Sequence, residues 1–305
     1  LDGVAPLTHL GLIRAQGEEA AKFLHNQLTQ DFLLMGAGEA RLAGFCSAKG
    51  RLQASFVGVK RSPTDILLIC SRDLLAATLK RMSMFVMRAK LKLTDATDEF
   101  ALYGLAGSAL DEAIKTVATY DHRAWAKADI DAQSLVNLYP ADGTARALLV
   151  APVGTAPPQG QAMTQNLWDW SEVRSGITTV SLPIVEAFVP QMINYESVGG
   201  VNFKKGCYPG QEVVARSQFR GTLKRRAFLG HTVEPMKAGD EVFLPTGEGQ
   251  PCGTVAQAAA APGGGFDAIV SMQISAFDAG DVRLGQVKGP VLTLTPPPYP
   301  LLADI

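Results

Sequence analysis

The stretch "FKKGCYPGQEVVAR", Phe203 to Arg216, places Cys207 behind Lys204 and Lys205 and ahead of Pro209-Gly210. Gly206 lets the backbone take a positive φ or approach a ligand closely. Pro209-Gly210 suits the two central positions of a type II turn. The following "QEVVARSQF" starts a helix or continues as a strand, and periodicity does not separate the two. As a helix it sets Glu212 and Arg216 at i,i+4, a pairing worth a few tenths of a kcal/mol. Cys207 then lies just before a helix N-terminus, and that end together with two ammonium groups favours thiolate over thiol. A structural turn whose cysteine merely packs would read the same way locally. None of His9, His25, His122 and His231 is near in sequence, so no activating base is assigned to the thiol.

Two further constellations can carry chemistry. Arg216, Arg220, Lys224, Arg225 and Arg226 place five cations within eleven residues. Such a run can neutralise RNA phosphates or the polycarboxylate tail of a ligand, or simply form a solvated face. "FVPQMINYES" offers Gln191, Asn194 and Glu196, whose amides and carboxylate suit the donor/acceptor edge of a heterocycle. With Trp168 as a stacking platform they outline an aromatic-ligand pocket. No metal-ligand set is read from the cysteines. Cys46, Cys70, Cys207 and Cys252 show no C-x-x-C spacing, against a zinc ribbon or a ferredoxin-type cluster. A disulfide framework is equally disfavoured in a chain this long with so few cysteines, and a reducing cytoplasm fits.

The elements that must position these residues interleave irregularly. A strand is expected over Leu10–Arg14 and a helix over Gly17–Thr29, with Ala20, Leu24 and Leu28 on one face. Gly38–Lys60 reads as strand, turn at Ser47–Gly50, and strand. A strand over Asp65–Cys70 leads to a helix around Arg72–Arg88. Two more strands precede a helix opened by Ser108 as N-cap, and strands follow over Ser134–Tyr139 and Arg146–Ala151. In "TQNLWDWSEVRSGI" Thr164 is the expected N-cap. Leu167, Trp170, Val173 and Ile177 form the expected apolar stripe, which leaves Trp168 off it. From about Thr222 short β-rich runs alternate with Gly/Pro turns, the texture of a small antiparallel barrel or sandwich. The pattern is therefore α+β, with a first region over 1–221 and a second over 222–305. The 305 residues, 47% hydrophobic and 19% charged, allow a sizeable core. The net charge of −1 gives a nucleic-acid partner no global help. No apolar run reaches membrane-spanning length and no signal peptide is visible, so no membrane partner is expected.

"KKGCYPGQEVVAR" resembles the K-G-C-[YF]-x-G-Q-E signature of the YgfZ family, folate-binding relatives of the glycine-cleavage T-protein. The match runs through Lys205, Gly206, Cys207, Tyr208, Gly210, Gln211 and Glu212, with Arg216 in the family's "VAR". "FLHNQLTQD" (Phe23–Asp31), "SAKGR" (Ser47–Arg51), "VPQMIN" and "GGVNFKKGC" resemble further family segments in family order. The resemblance implies a T-protein-like folate-binding α+β region of two subdomains, followed by a C-terminal β-barrel. It implies tetrahydrofolate or a one-carbon derivative in a central cavity, and a role in assembling or repairing iron–sulfur proteins that touches tRNA modification. Cys207 would be the functional thiol, Lys205 would stabilise its thiolate, and Glu212 with Arg216 would lock the turn. Trp168 falls where relatives present a ligand-side tryptophan, with Gln191 and Asn194 as candidate polar contacts. A second family tryptophan aligns with Leu10, and Thr179 stands where relatives often carry proline. The other reading is a tetrahydrofolate-dependent aminomethyltransferase or demethylase, which needs a carboxylate at the reacting atoms. A direct RNA-binding module rests on the basic run alone.

Overall fold

The computed structural model describes residues 1–117, 119–219, 223–246 and 249–302. The expected boundary between 221 and 222 lies outside the described residues, as does Arg220.

Three antiparallel sheets carry the fold. The first comprises β1 (Gly3–Pro6), β7 (Phe100–Ala106), β8 (Lys127–Ile130), β9 (Gln133–Asn137) and β10 (Arg146–Pro152), in the order β1-β7-β10-β9-β8. The second comprises β2 (Leu10–Gln16), β3 (Ala40–Cys46), β4 (Leu52–Ser62), β5 (Asp65–Ser71) and β6 (Lys92–Asp95), in the order β3-β4-β5-β2-β6. The third lies wholly after residue 224: β11 (Arg225–Thr232), β12 (Glu241–Phe243), β13 (Pro251–Ala260), β14 (Phe266–Gln273), β15 (Arg283–Leu284) and β16 (Thr293–Thr295). Six α-helices complete the described structure: α1 (Ala20–Gln27), α2 (Arg72–Ser83), α3 (Ser108–Ile114), α4 (Gln165–Ser175), α5 (Gln211–Phe219) and α6 (Ile274–Ala279). The architecture is the α+β arrangement expected, and no helix among the described residues is long and apolar enough to cross a membrane.

Side-chain alternation stacks the layers. Along β5, Leu67 and Ile69 point into the core shared with the first sheet, beside Leu102, Leu148 and Val150. Ile66, Leu68 and Cys70 point the other way, toward Phe23 and Leu24 of α1 and Leu74 of α2. A strand covered on both faces needs an unbroken apolar run, and "ILLIC" supplies it. The outer face of the first sheet, with Leu105, Leu135 and Leu149, is covered by Ala109 and Leu110 of α3.

Helix ends depart from the sequence reading in three places. Helix α1 starts at Ala20, with Glu19 at its N-cap. Helix α2 stops at Ser83 and leaves Met84 and Met87 exposed. Ser108 is the first helical residue of α3, whose N-cap is Gly107; Ser108 N and Oγ both donate to Asp2 Oδ1 at 2.7 Å. A remote carboxylate therefore serves the end of α3 that Ser108 was expected to cap.

Candidate functional site

Cys207 is exposed on a loop whose backbone is tightly specified. Gly210 takes φ +79°, and Gln211 N donates to Tyr208 O at 3.2 Å, the closed turn expected around Pro209-Gly210. Four residues after Cys207 the chain enters α5, so "QEVVARSQF" is a helix. Arg216 donates to Glu212 Oε1 at 2.8 Å, and both side chains are largely in water, so the pair steadies the helix only slightly. Lys205 is buried. Its Nζ donates to Leu28 O at 3.0 Å and Gly206 O at 3.2 Å, and sits 4.5 Å from the centre of the Tyr208 ring. Burial pushes the Lys205 ammonium down to about 8, against the opposing pull of Asp31 and Cys207.

Sequence-distant segments build the floor of this loop. A Cβ on Gly210 would meet Ser47 O at 2.4 Å and the Gly50 backbone at 2.7 Å, so the "SAKGR" turn seats directly against the Pro209-Gly210 turn. Thr29 Oγ1 donates to Gly200 O at 2.6 Å, Gln30 Nε2 to Gly199 O at 2.6 Å, and Asn202 N to Thr29 O at 2.9 Å. His25, buried on α1, meets Asp31 through Nδ1 at 3.1 Å, while its Nε2 lies 3.6 Å from where a Gly206 Cβ would be. Burial alone would raise the Asp31 carboxyl, but the Leu34 N–H and His25 outweigh it and hold it below the usual range. The imidazole that sequence spacing could not bring to the thiol therefore lies beside the residue preceding it.

A second locus is the cavity between the first two sheets and α4. Leu10, Trp125, Tyr139, Arg146, Trp168 and Glu172 all line it. Trp168 is fully buried, not off the packed face of α4. The helix is covered on two sides: Trp168, Ser171 and Ser175 are buried on one, and on the other Trp170 Nε1 donates to Asp267 Oδ2 of β14 at 2.7 Å. A single-stripe reading fails for a helix sandwiched between sheets. Thr164 caps α4 as expected, its Oγ1 accepting from Leu167 N at 3.3 Å.

The cavity wall holds unusual polarity. The Arg146 guanidinium lies 4.9 Å over the Trp168 ring and donates to Ser171 Oγ at 2.8 Å. Its complete burial pushes it down to about 10. Burial pushes the Glu172 carboxyl up, and the charges of His9 and Arg146 counter this only in part. The Trp168 indole N–H faces the Glu172 carboxylate and also counters its rise, and Thr178 Oγ1 is buried at this cavity without a hydrogen-bond partner. Trp125 went unrecognised in the sequence. It lines the cavity with a left-handed backbone (φ +68°), and its Nε1 donates to Val198 O at 2.8 Å.

Gln191 and Asn194 lie elsewhere. Gln191 Nε2 donates to Val214 O of α5 at 2.7 Å. Asn194 Nδ2 donates to Ala227 O at 2.9 Å, and its Oδ1 accepts from Ala227 N at 3.1 Å. Both amides clamp α5 and β11 onto the centre of the molecule, so the structure does not bring them to the cavity as ligand contacts. The basic run is likewise divided. Arg226 is buried in an ion pair with Glu196, Arg216 is engaged by Glu212, and Arg225 donates to Cys252 O at 3.2 Å. Lys224 is exposed, and among the described residues of the run no continuous cationic face forms.

No family model matches the chain. It is 30% identical to the tRNA-modifying protein YgfZ of Edwardsiella ictaluri (strain 93-146), over 96% of this chain and 93% of that protein. The same-named protein of Enterobacter sp. (strain 638) is also 30% identical, over 78% of this chain and 74% of its own length. The chain belongs to the YgfZ family. Among solved structures, the glycine cleavage system aminomethyltransferase T from Bartonella henselae aligns over 99% of this chain and 86% of its own, with a TM-score of 0.65. At 15% identity that likeness shows the fold. In this YgfZ-family chain, Phe23–Asp31, Ser47–Arg51 and Gly199–Arg216 are three separate stretches of sequence that interlock around one exposed thiol.

Proposed function

We propose that the chain is a folate-binding accessory protein for assembly or repair of iron–sulfur enzymes, supporting tRNA modification indirectly. The cavity carries the folate part of the reading. It offers an aromatic wall in Trp168 and Trp125, a largely buried carboxylate in Glu172, and the partnerless hydroxyl of Thr178. A reduced pterin presents a flat ring for stacking and an amino/imino edge that a carboxylate recognises. Leu10, aligned with a family tryptophan, lines the same cavity, so stacking here falls to Trp168 and Trp125.

The relatives' names support the link to tRNA modification, and the exposed Cys207 among buried Cys46, Cys70 and Cys252 supports a functional thiol in a reducing cytoplasm. One cysteine supplies one ligand, so any cluster handled here needs ligands from a partner. Tetrahydrofolate and its one-carbon derivatives, titrated by tryptophan fluorescence, test the ligand, with Glu172→Gln beside Trp168→Ala in case the larger deletion unfolds. Saturable quenching in the wild type, weakened in Glu172→Gln, is expected. No saturation up to ~1 mM, the weak end of specific affinity, overturns the folate reading. If Cys207→Ala restores a cluster-dependent enzyme as fully as wild type, the thiol role is wrong.

The aminomethyltransferase reading draws on the fold likeness and on Glu172, the buried carboxylate that such chemistry needs at its cavity. Folate-dependent one-carbon release from a lipoyl-linked aminomethyl donor would favour it over the accessory role.

A further inference from the structure

His9, Asp169 and Glu172 converge where the turn before β2 meets α4. His9 Nε2 lies 4.0 Å from Asp169 Oδ1 and 3.9 Å from Glu172 Oε2. These separations are too long for hydrogen bonds. Among the described residues this is the one histidine–carboxylate group whose three potential ligand atoms all lie within 4.8 Å of one another. His9 Nε2 is sealed from solvent and has no partner, although the imidazole is only partly buried. Its other nitrogen is held: Gln165 Nε2 stands 2.7 Å from His9 Nδ1 and 2.6 Å from Asp169 Oδ1. Gln165 Oε1 is a second sealed atom without a partner.

The geometry points to a divalent transition-metal site formed by His9, Asp169 and Glu172, with Zn²⁺ as the reference cation. Zinc binds imidazole nitrogen at about 2.0–2.1 Å and carboxylate oxygen at about 2.0–2.2 Å, so two ligands on one ion stand about 3–4 Å apart. The two histidine–carboxylate separations are at the upper edge of that window, so Asp169 and Glu172 turn toward the ion, and Glu172 Oε2 gives up for it the contact it accepts from Gln257 Nε2 at 3.3 Å. One imidazole with two carboxylates suits zinc or manganese better than magnesium or calcium, which take oxygen-only sets. Ligation through Nε2 requires the proton on Nδ1. A half-turn of the Gln165 amide makes the partnerless Oε1 its acceptor, the usual outer partner of a metal-bound histidine. Asp169 then leaves the amide and turns to the ion. Three protein ligands leave at least one position for water.

The site shares Glu172 with the cavity but does not depend on folate binding, and its test requires neither folate nor activity. Metal-stripped full-length chain carrying Cys207→Ser, which removes the exposed thiol as a competing ligand, is titrated with Zn²⁺ by calorimetry. Co²⁺ absorption then reports the ligand type. One equivalent should bind, with Co²⁺ spectra of nitrogen/oxygen ligation and no thiolate charge-transfer band. His9→Ala and Asp169→Asn sit at partly exposed positions and should keep the fold by circular dichroism. Each should weaken Zn²⁺ by a factor on the order of 100, since loss of an outer-shell partner alone costs about 10–100-fold. Gln165→Ala should weaken it about tenfold. Unchanged affinity in both ligand variants, or no stoichiometric binding to the parent, overturns the site. Folate quenching that survives in His9→Ala separates this inference from the folate reading.

Discussion

Gly210 and Gly143 allow the seating of the Cys207 loop to be measured with one atom. Both adopt left-handed backbone, at φ +79° and φ +78°, so alanine at either position incurs the same conformational penalty of about 1 kcal/mol. Their surroundings differ. A Cβ on Gly143 meets nothing within 4 Å, whereas one on Gly210 would lie 2.4 Å from Ser47 O and 2.7 Å from Gly50 N and Cα. The obstructing atoms are backbone and cannot swing aside as a side chain can. Forcing such an overlap ordinarily costs a further ~1–3 kcal/mol. Gly143→Ala should therefore lose about 1 kcal/mol, and Gly210→Ala about 2–4 kcal/mol. Urea unfolding followed by tryptophan fluorescence gives both values, provided the slopes agree so that midpoint shifts report stability. Gly210→Ala should also change the rate of Cys207 alkylation under native conditions, and Gly143→Ala should not. Equal losses in the two variants, within ~0.5 kcal/mol, would mean that the "SAKGR" turn does not hold the Cys207 turn as described.

Two further outcomes follow from the same contacts. Lys205 carries its charge below about 8 and loses it above, so Lys205→Met should slow Cys207 alkylation at pH 7 and make little difference by pH ~9.5; equal slowing at both pH values would assign the effect to packing. Asn194→Ala removes the amide that bonds both N and O of Ala227, leaving two buried backbone groups unsatisfied; a loss of ~2–4 kcal/mol in urea is expected, and a loss below ~1 kcal/mol would deny Asn194 its clamp role.

Much of the fold was legible because its strands obey a local rule. Alternation and turn residues located the β3–β4 hairpin, β5 and the β-rich region after residue 224, and "PG" specified the turn that Gly210 closes. The same short-range logic located Cys207, Lys205 and the turn between them and Gln211, while the choice of helix over strand for Gln211–Phe219 came from the structure. Helix α4 marks where that logic ends. Its stripe at helical spacing implied one buried face, but sheets cover it on two sides, and no pattern within eleven residues states how many layers will close over them.

Polar residues were legible by type and not by destination. Gln191, Asn194 and Arg226 have the groups a ligand site needs, yet α5, β11 and Glu196 take them, because a buried amide or guanidinium must find a partner wherever the chain packs. The sequence by itself determined the thiol and its turn, both properties of contiguous residues, and left the segment after them as helix or strand. Only the tertiary structure decided that His25 and Asp31, nearly two hundred residues earlier, lie under the thiol loop, that Trp125 and Glu172 face one cavity, and that His9 meets Asp169. Those juxtapositions depend on which sheet faces cover one another, a long-range packing choice that no local spacing encodes.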